Sequence, residues 1–163
     1  MDYTLRPLSE EDRETVMDIF NYYAENTLSA YPEHALPLAA FDLFLQAAKT
    51  YPVVCVLDPD GRVAGFGMLR AFHPMPTFAK TAEVGYFLHP DHTGRGLGSM
   101  MLAHLSQEGR RMGLKTLMAS ISSENQGSCR FHQRQGFTEC GRFKGVWHKK
   151  GRDLDMVWMQ KDI

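Results

Sequence analysis

The chain predicts an α/β protein in which one sheet mixes parallel and antiparallel pairings and carries helices on both faces. Three observations predict it. Strand-like apolar runs and helix-period segments follow one another in the order β-α-α-β-β-β-α-β-α-β-β. Some successive strands meet across tight turns, as 52–57 and 62–71 do across Asp58-Pro59-Asp60-Gly61, which makes antiparallel hairpins. Others, such as 82–88 and 114–121, are separated by a full helix, the length a parallel crossover needs.

Each element has a local reason. Tyr3 to Arg6 forms a short edge strand. Ser9-Glu10-Glu11-Asp12 supplies an N-cap and an acidic first turn for a helix that runs to about Ala24, with Val16, Ile19, Phe20 and Tyr23 on one face. Pro32 and Pro37 mark 26–37 as a loop. Its Thr27, Tyr31 and His34 are unusual for a mere connection, and loops of this kind favour binding residues. A second helix spans 38–49. The continuous apolar run 52–57 reads as an interior strand. Phe72-His73-Pro74-Met75-Pro76-Thr77-Phe78 is a loop, and the strand 82–88 after it ends at Pro90, which cannot donate to a ladder. Leu97, Met101 and Leu105 begin a helix that stops near Gly113. A strand at 114–121, a helix ending at Gly136, and strands at 137–146 and 153–159 joined by Lys149-Lys150-Gly151 complete the order.

Bulk properties narrow the function classes. With 163 residues, 44% hydrophobic and 23% charged, the chain suits one domain spanning 1–163 around one core. A net charge of −1 argues against a nucleic-acid binder, which usually carries a basic stripe. No apolar run reaches the roughly 18 residues of a membrane span. The first residues show no signal-peptide pattern, and Cys55, Cys129 and Cys140 form no Cys-x-x-Cys pair. A cytoplasmic protein with reduced thiols is the expectation. His89 and His92 flank Asp91 without a third ligand at metal-site spacing, so no metal is expected.

The chemistry concentrates in two stretches. Glycines 94, 96 and 98 lead directly into a helix, so loop N–H groups and the helix N-terminus together favour a pyrophosphate-sized anion. A nucleotide-hydrolase loop is excluded because no lysine follows Gly98. A dinucleotide fingerprint is excluded because the glycine spacing is wrong. The second stretch is Asn125-Gln126-Gly127-Ser128-Cys129-Arg130-Phe131-His132-Gln133-Arg134-Gln135-Gly136-Phe137, where Asn125, Ser128, His132 and Gln135 share one helical side.

These two stretches resemble the GNAT superfamily of N-acetyltransferases, and most of all its phosphinothricin acetyltransferase-like branch. The superfamily pattern Gln/Arg-x-x-Gly-x-Gly/Ala falls on Thr93-Gly94-Arg95-Gly96-Leu97-Gly98, departing at Thr93. The branch pattern Asn-x-x-Ser-x-x-x-His-x-x-x-Gly-Phe is met by Asn125, Ser128, His132, Gly136 and Phe137. The resemblance covers nearly the whole chain. It implies a mostly antiparallel sheet with a splayed central parallel pair that grips acetyl-coenzyme A. The cofactor's pantetheine arm is expected along the backbone of Phe87 and Leu88. Its pyrophosphate is expected on the N–H groups of Arg95, Gly96, Leu97, Gly98 and Ser99, with Asn125 and Ser128 as further contacts.

The resemblance also assigns Glu83 as the base that frees an amine lone pair, since an alkyl ammonium cannot attack a thioester. His132 stands where the wider superfamily often has a tyrosine, so it is expected either to protonate the leaving thiolate or only to bond the cofactor or a neighbouring carbonyl. A carboxylate-clamping arginine common in the branch is replaced by Met75, with Lys80, His73 or Arg70 as substitutes. Tyr31, Phe72 and Phe78 are the expected acceptor-site aromatics. Trp147 and Trp158 are read as core or dimer surface, and Cys129 as a structural thiol. The implied function is acetylation of a primary amine on a small amino-acid-like molecule by a homodimer. A protein or peptide acceptor, or a non-catalytic acyl-coenzyme A-binding module, are the alternatives.

Overall fold

The computed structural model describes residues 2–163. Seven strands build one sheet: β1 (Thr4–Pro7), β2 (Val53–Leu57), β3 (Val63–Ala71), β4 (Thr81–Leu88), β5 (Thr116–Ser122), β6 (Thr138–Lys149) and β7 (Arg152–Asp162). Four α-helices join them: α1 (Arg13–Asn26), α2 (Phe41–Ala47), α3 (Leu97–Arg111) and α4 (Gln126–Arg134). The spatial order is β1-β2-β3-β4-β5-β7-β6. Every neighbouring pair is antiparallel except β4 and β5, which α3 connects.

Strand alternation divides the chain between two faces. Ala82 and Val84 of β4 point toward Leu102 and Leu105 of α3 and toward Leu117, Ala119 and Val157. The odd positions of β4 point the other way, where Phe87 joins Phe66, Val16, Ile19 and Phe41 beneath α1 and α2. At the head of α1, Asp12 is buried yet ionised. Its desolvation is outweighed by Arg6, which donates two hydrogen bonds at 2.8 and 2.6 Å and draws the carboxyl below its ordinary range.

The parallel pair matters most. β4 and β5 are in register only from Thr81 opposite Thr116 to Glu83 opposite Met118. Beyond that point β4 stays zipped to β3, with Leu88 opposite Gly65 and the His89 N–H donating to the Ala64 carbonyl at 2.8 Å. β5 stays zipped to β7 as far as Ser122 opposite Met156. Each strand follows its outer partner, and a wedge opens between them.

The expected element order is the observed one. The differences lie at the ends. Both N-terminal helices begin with a 3₁₀ turn, at Glu10–Asp12 and Leu38–Ala40. The last two strands run longer than expected, to Lys149 and Asp162, because the polar residues at their ends find partners across the fold.

Candidate active site

A cavity of about 1020 Å³ fills the wedge and continues over the glycine loop. Its walls are β3, β4 and β5, the start of α3, one side of α4, and residues of α1, α2 and the 29–32 part of the loop after α1.

Glu83 sits where the wedge begins, at the last paired position of β4. Its side chain is 12% exposed, sheltered but open to the cavity. Oε1 accepts from Arg70 Nη2 at 2.7 Å and from Ser120 Oγ at 2.7 Å. Arg70 reaches it because β3 and β4 place the two directly opposite. Ser120 in turn accepts from the Tyr31 hydroxyl at 2.8 Å. Burial pushes the Tyr31 phenol above its ordinary range, so it keeps the proton it donates.

The backbone of the wedge follows from ladder alternation. Hydrogen-bonded pairs along β3–β4 fall at Ala64 with His89 and at every second pair from there, hence at Phe66 with Phe87. The Phe87 main chain is therefore spent on β3, and the expectation that it meets a cofactor arm is corrected. Tyr86 and Leu88 are the residues whose backbone turns into the wedge. The Leu88 carbonyl is already taken by the Tyr23 hydroxyl at 2.7 Å, which leaves its N–H as the donor. The Phe87 side chain lines the cavity, set against Phe20, Tyr23 and Phe66.

At the other end lies a glycine cradle. Gly94 and Gly96 hold φ of 72° and 80°, left-handed values that favour glycine, and a Cβ added at either would meet open space. Gly96 is the N-cap of α3, and no side chain caps the helix. The first helical bond runs from Met100 N–H to the Gly96 carbonyl at 3.1 Å, so the N–H groups of Leu97, Gly98 and Ser99 have no partner within the helix. Gly98 also lets α4 approach, since a Cβ there would stand 3.2 Å from Phe131 Cζ. Arg95 contributes only its backbone: its guanidinium donates to the Tyr3 hydroxyl and the Asp91 carbonyl, each at 3.1 Å, away from the loop mouth. Thr93 donates its hydroxyl to the Pro90 carbonyl at 3.0 Å.

Asn125 caps α4 by accepting from the Ser128 N–H at 3.1 Å, and both residues line the cavity. The Gln135 side chain crosses from the end of α4 to the Ser99 hydroxyl at 2.9 Å, tying the two helices over the cradle. His132 is 3% exposed. Its Nδ1 stands 2.7 Å from the Ser128 carbonyl, which can only accept, so Nδ1 carries the proton. Nε2 is left as an acceptor and is met by the Tyr86 hydroxyl. Burial lowers the imidazole's affinity for a second proton. Of the two expectations for His132, the bond to a neighbouring carbonyl is the one the structure shows: its Nδ1 proton is held by the Ser128 carbonyl of its own helix and Nε2 is left as an acceptor.

Phe72 and Phe78 pack on one another, with Phe72 edge-on to Trp158, and neither lines the cavity, so their expected place at the acceptor is corrected. Met75 is exposed in the same loop. Of the three substitutes for a clamping arginine, only Arg70 reaches the cavity. Trp147 holds Tyr31, edge to face at 5.2 Å. Burial raises the Cys129 thiol, in keeping with an inert role. Among the described residues no group of three His, Cys, Asp or Glu gathers to hold a metal. Sequence reasoning missed Ser120, Tyr86 and Lys149. Ser120 and Tyr86 were expected on strands and Lys149 in a turn, where the structure ends β6 on it; which distant side chains each would meet was not readable.

A wedge between parallel strands, with a sheltered carboxylate at its apex and a glycine cradle beyond it, is the frame for the comparison with known proteins. Residues 16–137 fit the model of the Acetyltransferase (GNAT) family. The chain belongs to that family. Over its whole length it is 30% identical to an L-methionine sulfoximine/L-methionine sulfone acetyltransferase of Pseudomonas paraeruginosa, covering 96% of that protein. The solved GNAT phosphinothricin acetyltransferase of Sinorhizobium meliloti, in complex with acetyl-coenzyme A, superposes with a TM-score of 0.94 at 28% identity, over 100% of this chain and 89% of that one. The ribosomal-protein-alanine N-acetyltransferase of Brucella melitensis superposes with a TM-score of 0.92 at 31% identity, over 98% and 99% of the two chains. The splayed parallel pair expected from the resemblance is the GNAT feature this structure shows.

Proposed function

We propose that this GNAT protein transfers the acetyl group of acetyl-coenzyme A to the primary amine of a small amino-acid-like molecule, by direct attack in a ternary complex. The observation that carries the reading is Glu83, the carboxylate that lines the cavity among the described residues, at the apex of a wedge whose far end is a glycine cradle at a helix start.

The chain's residues divide the work. The N–H groups of Leu97, Gly98 and Ser99, with those of Arg95 and Gly96, receive the pyrophosphate. Each charge-assisted bond contributes roughly 1.5–3 kcal/mol. The free backbone of Tyr86 and the Leu88 N–H pair with the arm, and a donor there polarises the thioester carbonyl. Asn125 and Ser128 complete the α4 wall. Glu83 takes one proton from an ammonium of pKa about 10, which frees the lone pair that forms the new C–N bond; as the C–S bond breaks, the nitrogen's second proton is lost through solvent and coenzyme A leaves as a thiolate that takes up a proton from solvent. The neutral Tyr86–His132 pair faces the leaving sulfur as a polar wall rather than as an acid. Tyr31 and Arg70 border the acceptor, Arg70 being the cation beside which an acceptor carboxylate fits.

The acceptor class is supported by the activity for which the Pseudomonas relative is named, on methionine sulfoximine and methionine sulfone. The Brucella neighbour's name makes a protein N-terminus the competing acceptor. A cytoplasmic location is supported by three free cysteines. A homodimer is supported by exposed Phe143 and Val146 on the edge strand β6.

A thiol-release assay with acetyl-coenzyme A tests the reading against a panel of amino acids, methionine sulfoximine, phosphinothricin, polyamines and alanine-initiated peptides. Turnover with an amino-acid-like amine is expected. Tight acetyl-coenzyme A binding by calorimetry with no thiol release from any amine would make the protein a binding module instead, and turnover with peptides alone would move the acceptor class.

A further inference from the structure

We infer that Ser120 and Tyr31 are positioning residues for Glu83, and that the hairpin between β6 and β7 holds them there through Lys149. The inference rests on the proposed role of Glu83 and extends it to residues far from the base in sequence.

A serine hydroxyl has one proton and a free rotor. Here that proton goes to Glu83 Oε1 at 2.7 Å, and the rotor is set because the Tyr31 hydroxyl donates to the same Ser120 oxygen at 2.8 Å. Arg70 donates to Oε1 as well, at 2.7 Å. Two donors on one oxygen hold the carboxylate plane and leave Oε2 to meet the acceptor's proton. The chain of donors thus decides which oxygen does the work.

Tyr31 lies in the loop after α1, and what fixes it comes from the other end of the protein. Lys149 is 1% exposed and donates from Nζ to the Ala30 carbonyl at 2.7 Å. The next residue, Lys150, gives its backbone N–H to Glu33 Oε1 at 2.6 Å. Trp147 braces the Tyr31 ring from the side. Two contacts therefore pin Ala30 and Glu33 on either side of Tyr31, and a third holds its ring. A buried ammonium is costly to desolvate, and this one is spent on a loop carbonyl one residue from Tyr31. Lys150 beside it is exposed, so of the two lysines only Lys149 turns its ammonium inward to the loop.

The test is steady-state thiol release with acetyl-coenzyme A and the best acceptor from the panel, for the wild type and for Ser120→Ala, Ser120→Thr, Tyr31→Phe, Lys149→Met and the Tyr31→Phe/Lys149→Met double variant. Ser120→Ala is expected to lower kcat by about 10- to 100-fold, the range of one hydrogen bond to a charged group, with KM for acetyl-coenzyme A unchanged within about twofold. Ser120→Thr keeps the hydroxyl and is expected to retain kcat within about threefold of wild type. Tyr31→Phe and Lys149→Met should each lower kcat by about 3- to 10-fold, and together no more than the worse single variant, because both act on one link. The inference is overturned by Ser120→Ala turnover within about twofold of wild type, by failure of Ser120→Thr to rescue, or by losses at Tyr31 and Lys149 that multiply. Should Ser120→Ala not fold, Tyr31→Phe decides, since it removes one oxygen from a side chain at the cavity rim and an unchanged kcat overturns the inference. A wild type inactive on every amine would instead overturn the proposed function, so the two failures are told apart.

Discussion

Arg70 Nη2 lies 2.7 Å from Glu83 Oε1, an ion pair set by their direct opposition across β3 and β4. The arginine is half exposed and the glutamate nearly sheltered, so the pair marks where solvent gives way to the wedge. An ion pair at this depth orients the carboxylate without locking it out of the cavity, which is what a base that must meet an incoming ammonium needs.

Replacing Glu83 tests its proposed role as base. Glu83→Gln keeps the shape and an acceptor oxygen but removes the proton-accepting charge. The expected result is a fall in kcat of about 10²- to 10³-fold with acetyl-coenzyme A affinity unchanged, read by thiol release and by calorimetry. Equal turnover in the variant would remove Glu83 as base.

Arg70→Met separates recognition from chemistry. If Arg70 meets an acceptor carboxylate, kcat/KM should drop by about 10-fold or more for an amino acid, and much less for the corresponding amino-acid amide. Comparing the two acceptors on wild type and variant is the check. A loss equal for both would assign Arg70 to Glu83 alone.

The cradle makes a ranking rather than a single value. Gly96 holds φ of 80°, and a side chain at Gly98 would press on Phe131, whereas the Thr93 hydroxyl is turned to the Pro90 carbonyl. Gly96→Val and Gly98→Val should weaken acetyl-coenzyme A by about 10-fold or more in calorimetric titration, and Thr93→Val by about threefold at most. The reverse order would mean that side chains and not backbone amides hold the phosphates.

His132 predicts a pH dependence of stability. Burial depresses its pKa below the ordinary 6.5. On acidification through that value the unfolded chain takes up a proton that the folded chain resists. Stability is therefore present in full above this window and is lost as pH falls through the depressed folded value. Thermal unfolding of wild type should shift downward between about pH 7 and pH 5, and His132→Gln should show a shallower shift over the same range. Identical slopes would place the acid sensitivity elsewhere.

Much of this was open to reading in one dimension. The element order, the Asp58–Gly61 hairpin, the strand carrying Glu83 and the glycine run into α3 all rest on local rules: alternation, turn chemistry and helix starts. The Asn125-to-Phe137 pattern with the glycine loop was enough to point to the family, because those residues sit at short, regular spacings along single elements. What could not be read depends on contacts between distant segments. Phe87 looked as available as Leu88 until the β3–β4 register showed which amides the sheet consumes. His132 looked as much like an acid as like a bond to the cofactor or a carbonyl until its helix and Tyr86 took both ring nitrogens. Phe72 and Phe78 looked like acceptor-site aromatics until the sheet carried their loop away from the cavity. Ser120, Tyr31 and Lys149 come from a strand, a loop and a hairpin separated along nearly the whole chain, and no periodicity links them. Local chemistry determined which elements form and which residue types they offer; the pairing of β5 with β7, and the wedge it opens against β4, decided which of those residues face the same space.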